Sequence, residues 1–260
     1  MKYFSTAYAT DVGIKKNVNQ DSLLLKGISN GDKEVVLAVL CDGMGGMSRG
    51  ELASAAVVEA FSDWFMTACR KQDDIFSVEE ARRQWSELLS QCNERLMEYG
   101  KKNQIQLGTT VTAVILFSSG NYLIVHIGDT RAYLLNDHMV QLTEDHTWVA
   151  REIKRGNLKK EDIESSSRRN VLLQCIGINE HFAPQFLEGK LLDGEALLLC
   201  SDGFRHKVSG EEIRKSLEAV ETGNEAMAET CLRELAELNK QRQETDNITA
   251  IYIKRKRHAD

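Results

Sequence analysis

Apolar residues along the chain fall into two periodicities. Positions 35–41 form a nearly continuous apolar run with β-branched residues that stops at Asp42-Gly43-Met44-Gly45-Gly46, the pattern of a buried strand entering a tight glycine loop. Ala53, Ala56, Val57, Ala60, Phe61 and Trp64 then recur at helical spacing and give an amphipathic helix with one buried stripe. Ser77 and Glu80 have the spacing of a capping box, and Ala81, Trp85, Leu88, Leu89, Cys92 and Leu96 share one face of the helix behind them. Beyond position 110 the spacing changes to that of strands. Runs at 110–117 and 121–127 flank Ser118-Ser119-Gly120, and a third at 131–135 follows Gly128-Asp129-Thr130, which together read as an antiparallel meander.

The stretch around 144–170 is polar, with a helical turn or two at most, and reads as a mobile, flap-like excursion. A buried strand at 196–200 ends at Ser201-Asp202-Gly203. One helix opens at Ser209 with Glu212 as its capping partner, and another carries Met227, Cys231, Leu232 and Leu235. A last strand, 248–253, is entered through Asp246-Asn247. Grouped strands with paired helices between them favour a layered α+β domain over a parallel βαβ sheet.

Composition narrows the class. The 260 residues carry no Pro-rich or Ser-rich linker, so 1–260 reads as one domain, and 42% hydrophobic with 28% charged residues are ordinary globular values. No apolar run approaches the length of a signal peptide core or a membrane span, from which a cytoplasmic, membrane-free protein is expected. Six cysteines without a CxxC pair read as buried free thiols. A net charge of −6 gives nucleic acid no electrostatic support, and the basic run Lys254-Arg255-Lys256-Arg257 reads as a solvated tail.

Chemistry enters through the acids. Asp42, Asp129 and Asp202 each follow an apolar strand and adjoin glycine, and Asp246 immediately precedes a strand. Strand ends are rigid platforms, so such carboxylates are held in place. If they converge, they repel one another, and a hard divalent cation is the simplest relief. An all-oxygen set suits Mg²⁺ or Mn²⁺ rather than zinc, for which there is no HExxH or CxxC spacing. Each Asp-Gly taken alone reads as a turn rather than as a ligand. Spacing by itself does not show that the acids meet.

An ordered series of motifs carries the reading further. Residues 13–21 (Gly-Ile-Lys-Lys-Asn-Val-Asn-Gln-Asp), Asp42-Gly43-Met44-Gly45-Gly46, Gly50-Glu51 with Ala53-Ser54, Gly108-Thr109-Thr110 and Gly128-Asp129-Thr130-Arg131-Ala132-Tyr133 come first. Leu142-Thr143 with Asp145-His146, Asn170 with Gly177, Ser201-Asp202-Gly203 and Asp246-Asn247-Ile248-Thr249 follow. The series resembles that of the type 2C metal-dependent protein serine/threonine phosphatases (PPM), in their stand-alone bacterial form.

The resemblance implies a central sandwich of two antiparallel β-sheets flanked by helices on both outer faces, with a two-metal centre at one end. It implies that Asp42, Asp202 and Asp246 are metal ligands together with the carbonyl of Gly43, and that Asp21 holds water on the metal. Asp129, with Asp202, matches the position that serves a third ion. The expected reaction is hydrolysis of phosphoserine or phosphothreonine on proteins by water activated between two Mn²⁺ or Mg²⁺ ions, with no side-chain nucleophile. The expected partners are phosphorylated proteins, a serine/threonine kinase among them, and the expected state is a monomer.

The sequence also departs from the family. Lys16 stands where an arginine commonly holds the substrate phosphate, and lysine lacks the bidentate fork. Gln20 replaces a common glutamate, which loosens metal binding slightly, and Met44 stands where some relatives carry a proton-donating histidine. These three changes motivate a rival reading, a phosphoprotein-binding pseudophosphatase, against which the retained aspartates weigh. His146 reads as structural, and Ser165-Ser166-Ser167-Arg168-Arg169 as a contact for peptide flanks or an inert loop.

Overall fold

In a computed structural model, which describes residues 1–31, 33–44, 49–70, 77–162, 166–221 and 223–257, the strands form two antiparallel sheets. With elements numbered along the chain, one sheet runs β1 (Phe4–Asp11), β11 (Ile248–Arg255), β10 (Ala196–Cys200), β7 (Arg131–Leu135), β8 (Met139–Gln141). The other runs β2 (Asp21–Asn30), β3 (Lys33–Met44), β5 (Val111–Phe117), β6 (Asn121–Ile127), β9 (Gln185–Lys190), and the short β4 (Gly108–Thr109) pairs with the end of β3. Gly45 and Gly46 of the glycine loop and Ser165 lie outside the described residues.

The apolar run of β3 explains the layering. Val36, Ala38 and Leu40 enter the core between the sheets with Phe4, Val114, Leu116, Leu197, Leu199 and Ile251. Their neighbours Val35, Leu37, Val39 and Cys41 point the other way, onto α1 (Gly50–Arg70) and α2 (Val78–Asn103). A strand covered on both faces has no solvent side on which to alternate, so it reads as continuous apolar sequence. Trp85 of α2 is fully buried here, with ring centroids 5.3 Å from Phe61 and 5.4 Å from Trp64, both edge-on. The outer face of the β1–β8 sheet packs on α4 (Asp202–Arg205), α5 (Gly210–Glu218) and α6 (Glu225–Gln241) through Phe204, Ile213, Leu217, Leu232 and Leu235. The α/β/β/α order expected from the motifs is therefore present.

Two local expectations are corrected. The runs at 110–117, 121–127 and 131–135 are strands, but they are not a meander: β5 and β6 pair in one sheet, whereas β7 pairs with β10 and β8 in the other. The chain crosses between the sheets at Gly128-Asp129-Thr130, where Gly128 has φ 113°, a value side-chain-bearing residues avoid. Ser77 caps α2 by accepting from the Glu80 amide, yet the return half of the capping box is absent, because the Glu80 carboxylate accepts from Gln84 instead. The box at Ser209 and Glu212 is complete. Within the polar stretch, α3 (Trp148–Lys154) is capped by Thr147 and followed by a single 3₁₀ turn, Lys160–Asp162.

Candidate metal centre

Strand register gathers the acids at one end of the sandwich. Asp21 opens β2 directly opposite Asp42 near the end of β3, and Leu40 pairs with Thr112 at the start of β5, whose Val111 pairs with Ile127 closing β6. The crossover then delivers Asp129 to the same end of the other sheet, where Arg131 pairs with Cys200 and Cys200 with Ala250. Asp202 follows β10 and Asp246 precedes β11, so both leave that sheet at this end.

Backbone bonds fix each position. The Asp42 amide donates to Thr110 Oγ1 at 2.9 Å, while its carbonyl accepts from the Thr110 amide and the Thr109 hydroxyl, both at 2.9 Å. Gly43 donates to the Gln20 carbonyl at 3.0 Å, which also accepts from Ser54 Oγ at 2.6 Å. A Cβ at Gly43 would collide with the carbonyls of Gly50 and Gln20, so the glycine is a packing requirement. Asn247 holds the 12–20 loop against Asp246, accepting from the Gln20 amide and donating to the carbonyls of Val12 and Val18. Met44, half-buried at the end of β3, offers no titratable group.

The carboxylates act on one another through space. Both oxygens of Asp21 are buried without a hydrogen-bond partner, as is Oδ1 of Asp202. Burial pushes the Asp21 carboxyl up to about 7, the charges of Asp202 and Asp246 adding to it and the nearby hydroxyls of Thr249 and Ser201 offsetting part. Asp42 lies well above the carboxylate range through burial first and then repulsion from Asp21, Asp202, Asp129 and Asp246. Asp129 reaches about 7 through burial and Asp202, against the opposing charge of Arg205. Lys16 Nζ sits 2.9 Å from Asp246 Oδ1, and the fields of Asp246, Asp42 and Asp202 outweigh its partial burial and raise its pKa.

Orphaned, mutually repelling oxygens of this kind fit hard divalent cations. Asp21, Asp42, Asp202 and Asp246 share the end where such ions would be held, and Asp129 lies beside Asp202. Among the described residues, no three acids close on a single point as they stand. Their side chains are spread, Asp246 onto Lys16 and Asp202 toward His206, whose Nε2 is 3.6 Å from Oδ2.

Arg131, Asp145, Thr110 and Thr130 belong to the quoted motifs without a role assigned to them, whereas Arg205, His206, Glu244, Thr112 and His126 have no signal in local sequence. Arg131 grips Asp145 with two bonds of 2.8 and 2.6 Å, and Arg205 Nη2 donates to the Asp129 carbonyl at 3.2 Å. His206 bridges Asp202 to buried Glu244, whose Oε1 accepts from the amides of Thr245 and Asp246. Beneath the acids runs a buried polar chain. Thr110 lies 3.4 Å from Thr130, Thr130 2.8 Å from Thr112, and Thr112 2.9 Å from His126 Nδ1. His126 Nε2 faces the Gly128 carbonyl at 3.1 Å, an acceptor only, so Nε2 carries the proton and Nδ1 accepts from Thr112. His146 Nδ1 accepts from the Gly128 amide at 3.2 Å.

The protein phosphatase 2C family model matches residues 14–245, which takes in Lys16, Asp21, Asp42, Asp129 and Asp202 and ends one residue before Asp246. The chain belongs to the protein phosphatase 2C family. It is 30% identical over 252 residues to the serine/threonine phosphatase stp of Listeria innocua serovar 6a, covering 95% of this chain and 94% of that one. The Streptococcus agalactiae serine/threonine phosphatase superposes with a TM-score of 0.83 at 28% identity, over 97% of this chain and 99% of the other. The catalytic domain of the phosphatase PstP, solved in complex with two manganese ions, shares the fold at a TM-score of 0.80 and 24% identity, over 98% and 99% of the two chains. The phosphatase therefore carries its five strand-end aspartates on the fold that its motifs implied. No helix among the described residues is long and apolar enough to cross a membrane.

Proposed function

We propose that the protein hydrolyses phosphoserine and phosphothreonine on other proteins, using two divalent cations, Mn²⁺ or Mg²⁺, held by Asp42, Asp202, Asp246 and the Gly43 carbonyl. The observation that carries the reading is the gathering of acids from both sheets at one end, with both Asp21 oxygens buried and unpartnered. Family membership and the two manganese ions of PstP support it. When bound, the cations neutralise phosphate charge and make water acidic enough to attack at neutral pH.

The chain's own groups do the rest. Asp42 and Asp129 keep their carboxylates in position because the Thr110, Thr130, Thr112 and His126 chain and Arg205 fix the backbone on which they stand. Asp21 accepts a proton or holds water at the floor of the site. Lys16, freed from Asp246, meets the substrate phosphate as a point charge. Asp129 with Asp202 would accommodate a third ion, and the stretch around 144–170 borders the site as a flap, since His146 bonds directly to the Gly128 turn. Phosphorylated proteins, including a serine/threonine kinase, are the partners, acting with a monomer. A cytoplasmic setting suits the six free cysteines.

The test is release of phosphate from a phosphothreonine peptide with Mn²⁺, with EDTA, and from Asp42→Asn. Release only in the first case is expected; release in EDTA or undiminished release from Asp42→Asn would refute the metal role.

A further inference from the structure

Beside the acids opens a cleft of the opposite sign, about 570 Å³ in volume, between β7, the α4–α5 turn and the end of α6. Arg131, Arg205, Lys207 and Arg242 line it, with His206 at its edge, and Glu212 is the one carboxylate among its described lining residues. Two of the cations are spoken for. Arg131 is held by Asp145, and Arg242 grips Glu212 through bonds of 2.6 and 3.1 Å.

The other two keep donors to spare. Arg205 bonds to the Asp129 carbonyl through Nη2, which lies 3.9 Å from Asp145, but its Nε is buried without an acceptor. Lys207 is exposed, and its backbone is pinned on both sides, the amide to Asn239 Oδ1 at 3.2 Å and the carbonyl by Arg242 at 2.8 Å. A pinned backbone fixes where the Lys207 side chain leaves the rim, while the ammonium at its end stays mobile. The cleft also adjoins the reaction end directly, because Arg205 touches Asp129 and His206 lies 3.6 Å from Asp202.

We infer that this cleft is an anion subsite that takes an acidic group, carboxylate or second phosphoryl, flanking the phosphoresidue to be hydrolysed. The inference rests on the phosphatase reading above. Strand-end aspartates repel an acidic peptide flank, so a neighbouring basic cleft decides which way such a peptide lies. Arg205 contributes a delocalised positive charge to the cleft wall, and Lys207 a mobile point charge.

The test compares kcat/KM of the Mn²⁺ enzyme for phosphothreonine peptides of one length whose neighbours are alanine, glutamate or a second phosphoserine. One well-formed charge-assisted contact corresponds to a preference of about tenfold for the acidic peptides. The glutamate and phosphoserine arms show which anion is preferred. Lys207→Glu is expected to abolish the preference, and Lys207→Gln to reduce it. Equal kcat/KM across the peptides, or a preference unchanged in Lys207→Glu, overturns the subsite while leaving the phosphatase reading standing. Should no peptide release phosphate, the phosphatase reading fails instead. Anisotropy of a fluorescent glutamate-rich peptide in EDTA then decides the subsite, and equal binding to wild type and Lys207→Glu refutes it.

Discussion

Removing the charge of Asp21 should stabilise the metal-free protein while weakening its response to metal. A carboxyl whose pKa rises from 3.8 to about 7 on folding makes the native state lose stability as pH climbs through that interval, and the loss is complete above it. A rise of about three units at about 1.4 kcal/mol each sets an upper bound of about 4 kcal/mol at pH 8. Asparagine removes the charge but brings an amide that needs acceptors, which takes back about 1–2 kcal/mol. In EDTA at pH 8, Asp21→Asn is therefore expected to be about 2 kcal/mol more stable than wild type, about 0.7 M in urea midpoint at an m-value of about 3 kcal/mol/M. At pH 4 the charge term vanishes, because wild-type Asp21 is then protonated when folded, and the amide cost alone should leave Asp21→Asn about 1–2 kcal/mol less stable than wild type. Added Mn²⁺ should raise the wild-type midpoint more than that of the variant. An Asp21→Asn midpoint at or below wild type in EDTA at pH 8, or an equal Mn²⁺ response, would refute the account of Asp21 as an acid kept charged for a cation.

Replacing Lys16 by methionine removes the ammonium beside Asp246 and should raise KM for a phosphopeptide about tenfold with a smaller change in kcat; steady-state kinetics check it, and Lys16→Arg should lower KM. Arg131→Met strands Asp145, whose pKa is held down chiefly by that arginine against its burial, and should destabilise the protein by about 3 kcal/mol as read by urea unfolding. His126 is pushed down to about 3 by burial, so stability fully present above its unfolded value of 6.5 should fall by about 1.4 kcal/mol per pH unit on acidification. Because Asp21 and Asp129 contribute a slope of the opposite sign, the test is the difference in urea midpoint between wild type and His126→Asn from pH 7 to 4.5, and a difference that does not change with pH would count against it.

The strands and helices with one strong pattern were legible in sequence, and those sharing their pattern with loops were not. β3, β5, β6, β10 and β11 are buried on both faces and announce themselves as apolar runs. β1 mixes Ser5, Thr6 and Thr10 with alanines, β2 is half-buried along most of its length, and β9 is an edge strand, so none stands out from its surroundings. The meander failed for a related reason: β7 has the same apolar alternation whichever sheet receives it, and only the Gly128 turn sends it across. In the site, Asp42, Asp202 and Asp246 could be placed at strand ends, but their meeting depended on register. The Arg131–Asp145 grip spans 14 positions and Arg205 reaches Asp129 over 76, distances at which no local pattern forms.

That dependence on register explains why the polar chain under the site runs where it does. Asp42 stands on the sheet of β2 and β3, whereas Asp129 stands on the crossover to the other, and two sheets sliding by a fraction of a residue would move these acids apart. Apolar contacts between the sheets resist separation but are poor at fixing a slide, since one methyl contact replaces another. Directional bonds do fix it. Thr110 and Thr112 flank β5's first residue, Thr130 opens the way into β7, and His126 is the next-to-last residue of β6, so their chain ties both sheets to one register at the end where the acids lie. A buried chain of hydroxyls with an imidazole at its end tolerates no slippage, because each displaced member leaves an unpaired polar atom away from water. Geometry for a cation is thus set by neutral groups beneath the acids, and the acids themselves, which repel, need only be held there.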